Sequence, residues 1–177
     1  MNTFDCMRAR RSVRAFDKTE LCRETVQKIA DAALCAPVGM KLYDSLHLSV
    51  LFGHAAVDKF TALARENSGD AAADPVHGAA ALVVVSGKRP QAVVEYANCA
   101  CMIENMLLAA TDLHVGSLYV HGAINAMIGT KEGEALKKLL RLPEGFTPIG
   151  SVALGNCEAD FSPREIPNRV TGVDYIE

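Results

Sequence analysis

The chain reads as one domain built from both helices and strands, and three observations carry that expectation. Its 177 residues, divided by a typical domain length of roughly 150, give a count near one. Apolar residues recur at helical spacing in some segments and alternate or run continuously in others. Half of the residues are apolar and 22% are charged, which supplies a sizeable core and little material for a disordered tail.

Taken in order, the positions Leu21, Val26, Ile29, Ala30, Ala33 and Leu34 share a helical face, and Pro37 stops that helix. Leu46 to Phe52 alternates before Gly53 and predicts a half-buried strand, after which Val57 to Arg65 returns to helical spacing. The small, polar stretch Asn67 to Ala81 around Asp74-Pro75 predicts a loop. Ala81 to Val85 is a continuous apolar run and predicts a strand covered on both faces. Pro90 opens a long helix, about Gln91 to Leu113, apolar around most of its circumference. After Gly116 follow a short strand, Ser117 to Val120, a loop, His121 to Ile128, an amphipathic helix, Glu132 to Leu142, and a last strand, Ile149 to Leu154. The tail from Asn156 to Glu177 has too few hydrophobes for its own core and is expected to lie along another surface, a partner subunit being the natural candidate.

Several function classes are excluded. With 18 Lys+Arg against 21 Asp+Glu, the chain lacks the basic footprint of a general nucleic-acid binder. Tyr96 to Leu113 comes nearest to a membrane span, but Asn98, Glu104, Asn105, Thr111 and Asp112 interrupt it, so no membrane partner is expected. The six cysteines contain no CxxC pair, which argues against a zinc framework, a disulfide scaffold or a thiol redox protein. Cys99 and Cys101, two residues apart on a helix, point about 200° apart and cannot pair with each other. The opening residues hold no apolar signal region, which predicts free thiols and a cytoplasmic home. Neither GxGxxG nor GxxxxGK[ST] occurs, so a Rossmann or P-loop reading has no anchor.

The charge is uneven. Arg8, Arg10, Arg11 and Arg14 lie within seven residues of a chain whose net charge is −3, leaving the rest near minus seven. If the chain is extended beyond Arg11, then Arg10, Ser12 and Arg14 share one face at period two. Two guanidiniums flanking a hydroxyl suit a phosphate, because arginine donates in a rigid fork and stays charged. A solvated basic face on an N-terminal helix explains the same spacing, and composition does not choose between the two.

The wider pattern joins RRSVRAFD, a helix ending in Ala-Ala-Leu-Cys-Ala-Pro, then IENMLLAATDLHVGSLYVHGA and LPEGFTPIGSVALG. It resembles the nitroreductase family of FMN-dependent, NAD(P)H-dependent oxidoreductases over nearly the whole chain. The resemblance implies an α+β, nitroreductase-like fold, with a mixed, mainly antiparallel sheet flanked by helices. It implies a single domain over residues 1–177 that forms a homodimer across the long helix, with the segment from about 156 to 177 extending over the partner subunit. Two FMN molecules are expected at the subunit interface. NADH or NADPH is the expected electron donor, and an electron-poor small molecule such as a nitroaromatic or quinone the acceptor, in a ping-pong cycle.

Residue by residue, the resemblance assigns Arg10, Arg11 and Ser12 to the FMN phosphate and Arg14 to the pyrimidine edge of the flavin. A cation there stabilises the anionic reduced ring. Pro37, Val38, Gly39, Met40 and Lys41 correspond to a loop that contributes to the partner's flavin site. The family usually continues Ser-x-x-Asn-x-Gln-Pro-Trp, whereas this chain reads Val38 to Ser45, so the loop's usual side-chain hydrogen bonds are missing and backbone groups or Lys41 must substitute. Gly122 is the candidate for the backbone N–H that approaches flavin N5, on the ground that a residue without Cβ admits a close approach. His121 beside it either touches the ring or is a surface histidine. Arg164, in preference to Arg169, returns to the phosphate. Glu104 is assigned a structural duty, answering a helix end or an arginine. No catalytic side chain is needed, because hydride moves directly between cofactors, and no metal is expected. The rival readings are a non-catalytic FMN carrier or sensor and a reductive dehalogenase-like branch of the same fold.

Overall fold

The structure, a computed structural model, describes residues 1–89, 92–166 and 171–176. Its frame follows from the two strand signals. β1 (Leu46–Phe52) pairs antiparallel with β2 (Ala81–Gly87), Leu46 opposite Gly87 and Phe52 opposite Ala81. β4 (Thr147–Gly155) pairs antiparallel with β2 and with β3 (Gly116–Val120), giving the order β1-β2-β4-β3. The central strands are the most deeply covered, with every residue of β2 buried and every residue of β4 except Thr147.

Side chains alternate across β2, so successive valines feed two cores. Val83 and Val85 pack with Val26, Ile29 and Ala33 of α2 (Arg23–Leu34) and with Met102, Ile103 and Met106 of α4 (Val93–Asp112). Leu82 and Val84 pack with Val57 and Phe60 of α3 (His54–Ser68), Ile124 and Met127 of α5 (Gly122–Met127) and Leu136 of α6 (Lys131–Leu139). Each fully buried Val, Leu or Ile contributes about 1.5–3 kcal/mol. The short α1 (Thr3–Ala9) lies on α4.

The segment read as a loop from His121 to Ile128 instead contains α5. It is a single six-residue turn and a half, too short for periodicity to register, and only its buried pair Ile124 and Met127 holds it down. α3 is longer than its apolar pattern, bracketed by Gly53 (φ 84°) and the left-handed Gly69 (φ 71°). α4 begins at Val93, and Pro90 and Gln91, expected to open it, lie outside the described residues.

Two surfaces stay open. α4 leaves a stripe of Val93, Ala97, Ala100, Cys101 and Glu104 exposed, Val93 at 84%. β1 is an outer strand of the sheet. The first part of the tail lies on its own protomer: the Asp17 N–H donates to Asn156 O at 3.0 Å and the Arg164 N–H to Arg8 O at 3.3 Å. Further on, Val173, Tyr175 and Ile176 are exposed. Among the described residues no helix is long and apolar enough to cross a membrane.

Candidate functional site

Three segments singled out by sequence meet α4, which serves as their common support. The first is the arginine segment. Asn2 caps α1 by accepting the Asp5 N–H at 2.9 Å, and Cys6 and Ala9 bury its inner face. The helix ends as Arg10 turns to extended geometry (φ −51°, ψ 131°). Beyond it the Val13 N–H donates to Ser117 O at 2.9 Å, so the segment runs beside β3. Val13 is buried while Ser12 and Arg14 are exposed, which is the period-two face the spacing predicts.

The arginines are held to different degrees. Arg10 Nε stands 3.6 Å from Glu104 Oε1 on α4, and Arg11 stands 3.7 Å from Asp160 in the tail. Arg11 also donates to Ala9 O at 2.6 Å. Partial desolvation against α4 pushes the half-exposed Glu104 carboxyl above its ordinary range, and the Arg10 guanidinium only partly opposes it. Hydrogen bonds from Ser162 hold Asp160 below the carboxylate norm, with Arg11 adding to them. Arg164 reaches back to the same segment, donating to Arg10 O at 2.6 Å and to Arg8 O at 3.3 Å. A groove of about 640 Å³ runs beside Arg11, Ser12 and Arg14, with Cys157 and Glu158 on its far side.

The second segment is the turn after α2. Pro37 is exposed and Val38 half-buried, and the chain then tightens through Gly39, Met40 and Lys41. Met40 (φ 58°) and Lys41 (φ 56°) are both left-handed, a conformation that costs a non-glycine residue on the order of 1–3 kcal/mol and persists only where the surroundings enforce it. The enforcement is visible: the Gly39 N–H donates to Asn98 Oδ1 of α4 at 2.8 Å. A Cβ at Gly39 would stand 3.0 Å from Val94 Cγ2, so glycine lets the turn sit this close to the helix.

The third segment follows β3. His121 makes edge-on ring contacts with Tyr96 of α4 (6.3 Å) and Tyr119 of β3 (6.1 Å), and is half-buried between them. Gly122 opens α5. A Cβ there would meet nothing within 4 Å, so the chain itself imposes no steric demand for glycine at this position.

With this geometry in hand, comparison with known proteins is decisive. The sequence model of the nitroreductase family matches residues 7–156. The chain belongs to the nitroreductase family. A nitroreductase with bound FMN from Bacteroides fragilis is 26% identical and superposes at a TM-score of 0.85, with both chains fully covered. A nitroreductase with bound FMN from Desulfitobacterium hafniense (23% identity, TM-score 0.82, both chains fully covered) shares the fold. So does an FMN-dependent nitroreductase from Clostridium difficile (16%, 0.74, 97% of this chain and 99% of that one). A comparison with curated proteins found no match.

As a nitroreductase-family oxidoreductase, the chain brings the expected residues Arg10, Arg11, Ser12 and Arg14 into one segment, with Arg164 beside it and Arg169 outside the described residues. The turn 37–41 and His121 attach to the first two turns of α4, and Arg10 one to two turns further on. Asn98 and Glu104 are six residues apart, about 9 Å along the helix. Sequence reasoning missed Asn98, Asp160, Tyr96 and Tyr119. The partners of the first two lie 59 and 149 residues away, a relationship no local pattern announces. Among the described residues no group of three His, Cys, Asp or Glu is placed to hold a metal ion.

Proposed function

We propose that this chain is an FMN-dependent oxidoreductase that takes hydride from NADH or NADPH and passes the electrons to an electron-poor small molecule, such as a nitroaromatic or quinone, in a ping-pong cycle. The observation that carries the reading is the extended arginine segment itself. Arg11, Ser12 and Arg14 line one groove, while the Val13 N–H anchors the segment to β3 and Arg10 stands half-buried against Glu104. The Arg10–Glu104 pair at 3.6 Å is long for a charge-assisted hydrogen bond, which runs about 2.7–2.9 Å, so a phosphate can compete for Arg10, while Arg11, held by Ala9 O at 2.6 Å, would meet it with its remaining N–H groups.

FMN fits these residues: its phosphate carries about −1.5 to −2 charges and the cradle supplies fixed donors. In this reading Arg10, Arg11 and Ser12 bind the phosphate, Arg164 steadies the segment and adds charge, and Arg14 lies toward the pyrimidine edge. The turn Pro37–Lys41 faces the flavin of the partner subunit, and the Gly122 N–H approaches flavin N5. When bound, FMN supplies the two-electron chemistry. The chain binds and orients it and excludes water.

The homodimer is part of the proposal. The exposed stripe of α4 is apolar for a free surface, and Phe4 and Met7 of α1, also exposed, extend it. The distal tail, with Val173, Asp174, Tyr175 and Ile176, lies over the partner, where the grooves along β1 offer Arg23, Lys59 and Arg141 as complementary charges. Six free thiols suit a reducing, cytoplasmic setting.

An absorbance spectrum of the purified protein, before and after anaerobic NADH or NADPH, tests the reading. A yellow protein that bleaches with nicotinamide and recovers with a quinone supports it. A colourless protein that takes up no FMN sinks it. The altered Val38–Ser45 loop favours the second reading, a flavin carrier, which predicts a yellow protein that neither nicotinamide bleaches.

A further inference from the structure

We propose that Asn98 is a positioning residue of the flavin site, holding the Gly39–Lys41 turn in its left-handed shape by accepting the Gly39 N–H from outside the loop. The inference rests on the FMN reading above and deepens it, since that turn is the part of the loop assigned to the partner's flavin.

Four observations converge. Within the turn, the hydrogen bonds from the Lys41 N–H to Val38 O and from the Leu42 N–H to Gly39 O are long, at 3.3 and 3.4 Å, so the turn's own bonds hold it weakly. Two successive non-glycine residues, Met40 and Lys41, are held left-handed, although Met40 is 77% exposed and has no packing to force it there. The Gly39 N–H meets Asn98 Oδ1 at 2.8 Å, and the close seat of Gly39 on Val94 leaves the turn one position against α4.

The fourth observation concerns what Asn98 gives up. It is 4% exposed on an apolar helix face, and because Oδ1 must face the Gly39 N–H, Nδ2 is left buried with no hydrogen-bond partner among the described residues. A buried donor without a partner is a cost, and a leucine of similar volume would not carry it. An amide at this position therefore works against the stability of the core, and its visible return is the shape of an exposed turn.

That trade gives the test a signature that a merely structural residue would not show. Asn98→Leu removes the acceptor and the orphaned donor together. Its melting temperature without FMN should stay within about 2 °C of the wild type or rise. Its FMN dissociation constant, read by quenching of flavin fluorescence, should rise on the order of tenfold, because the turn must be ordered anew on binding. Hydrogen exchange at the Gly39 amide should accelerate. Asn98→Asp keeps an acceptor and should hold FMN within about threefold of the wild type, with Gly39 still protected. Gly39→Ala disturbs the same turn from the exposed side, its methyl meeting Val94 Cγ2 at 3.0 Å and Asn98 Oδ1 at 3.3 Å, and should weaken FMN like Asn98→Leu, which keeps the test open if that variant fails to fold.

FMN binding by Asn98→Leu or Gly39→Ala equal to the wild type overturns the inference alone. Equal loss in Asn98→Asp and Asn98→Leu also overturns it, since the acceptor would then not be what matters. A wild-type protein that binds no FMN overturns the proposed function, and this inference with it.

Discussion

Arg10 Nε faces Glu104 Oε1 across 3.6 Å, tying the first residue after α1 to the exposed stripe of α4. The pair is long and the Glu104 side chain is 51% exposed, so it contributes little to stability. Its interest is that a carboxylate occupies the guanidinium assigned to a phosphate. Arg10→Ala is expected to weaken FMN binding at least about tenfold, in the range of losing one charge-assisted contact, while the far-ultraviolet circular dichroism stays unchanged. Unchanged FMN affinity in a direct titration sinks the assignment.

Glu104 itself gives a pH prediction. Partial desolvation of a side chain that is still 51% exposed raises its carboxyl above the ordinary 4.5, and Arg10 only partly offsets this. A carboxyl raised in the folded state contributes stability that is fully present below its unfolded value and is lost as pH rises through the folded one. Wild-type stability should therefore fall relative to Glu104→Gln as pH climbs from 4.5. The variant-minus-wild-type difference in melting temperature should be larger at about pH 7 than at about pH 4, and a flat or falling difference counts against burial as the dominant cause.

What the sequence made legible divides by range. β1 was readable to its end residues, Leu46 and Phe52, because alternation is local, and β2 because a run covered on both faces needs no partner to be recognised. α5 was not, since six residues with two buried side chains fall below the reach of periodicity. Within the site, the alternation of exposed Ser12 and Arg14 about buried Val13 was legible as geometry, and Glu104, read as answering a helix end or an arginine, faces Arg10. Asn98 was read only as an interruption of an apolar helix, because its purpose is a backbone N–H 59 residues away.

Cys99 and Cys101 should separate chemically. Burial, with Glu95 adding to it, pushes the Cys99 thiol up to about 12, and the residue is 1% exposed. Only the thiolate is nucleophilic, so Cys99 should resist iodoacetamide at about pH 8 and react once the protein is unfolded in urea. Exposed Cys22 and Cys35 should label in the native protein. Cys101 is exposed on the α4 stripe, so its protection at high protein concentration and labelling on dilution would report the subunit interface. Native labelling of Cys99, read by peptide mass spectrometry, would contradict the buried placement.

Gly122→Ala distinguishes structural from functional need at the start of α5. Nothing lies within 4 Å of the added methyl, so the fold should tolerate it and gain up to about 1 kcal/mol from the less flexible unfolded chain. If the Gly122 N–H approaches the flavin, the methyl intrudes on the bound ring, and the rate of flavin reduction by NADH should drop on the order of tenfold in stopped-flow absorbance. A variant that is more stable and equally fast would move the N5 contact to another residue.

Truncation after Ile166 separates the two halves of the tail. The hydrogen bonds from Arg164 to Arg8 and Arg10 and from Asp17 to Asn156 all lie before the cut, so the arginine segment keeps its support. Val173, Tyr175 and Ile176 are exposed on the protomer, and removing them costs it no core. The truncated chain should therefore melt as cooperatively as the full one while the proposed dimer dissociates at higher protein concentration, as read by analytical ultracentrifugation. FMN occupancy should fall in parallel, because the turn assigned to the flavin belongs to the opposite subunit. An unchanged dimer constant would place the distal tail away from the interface.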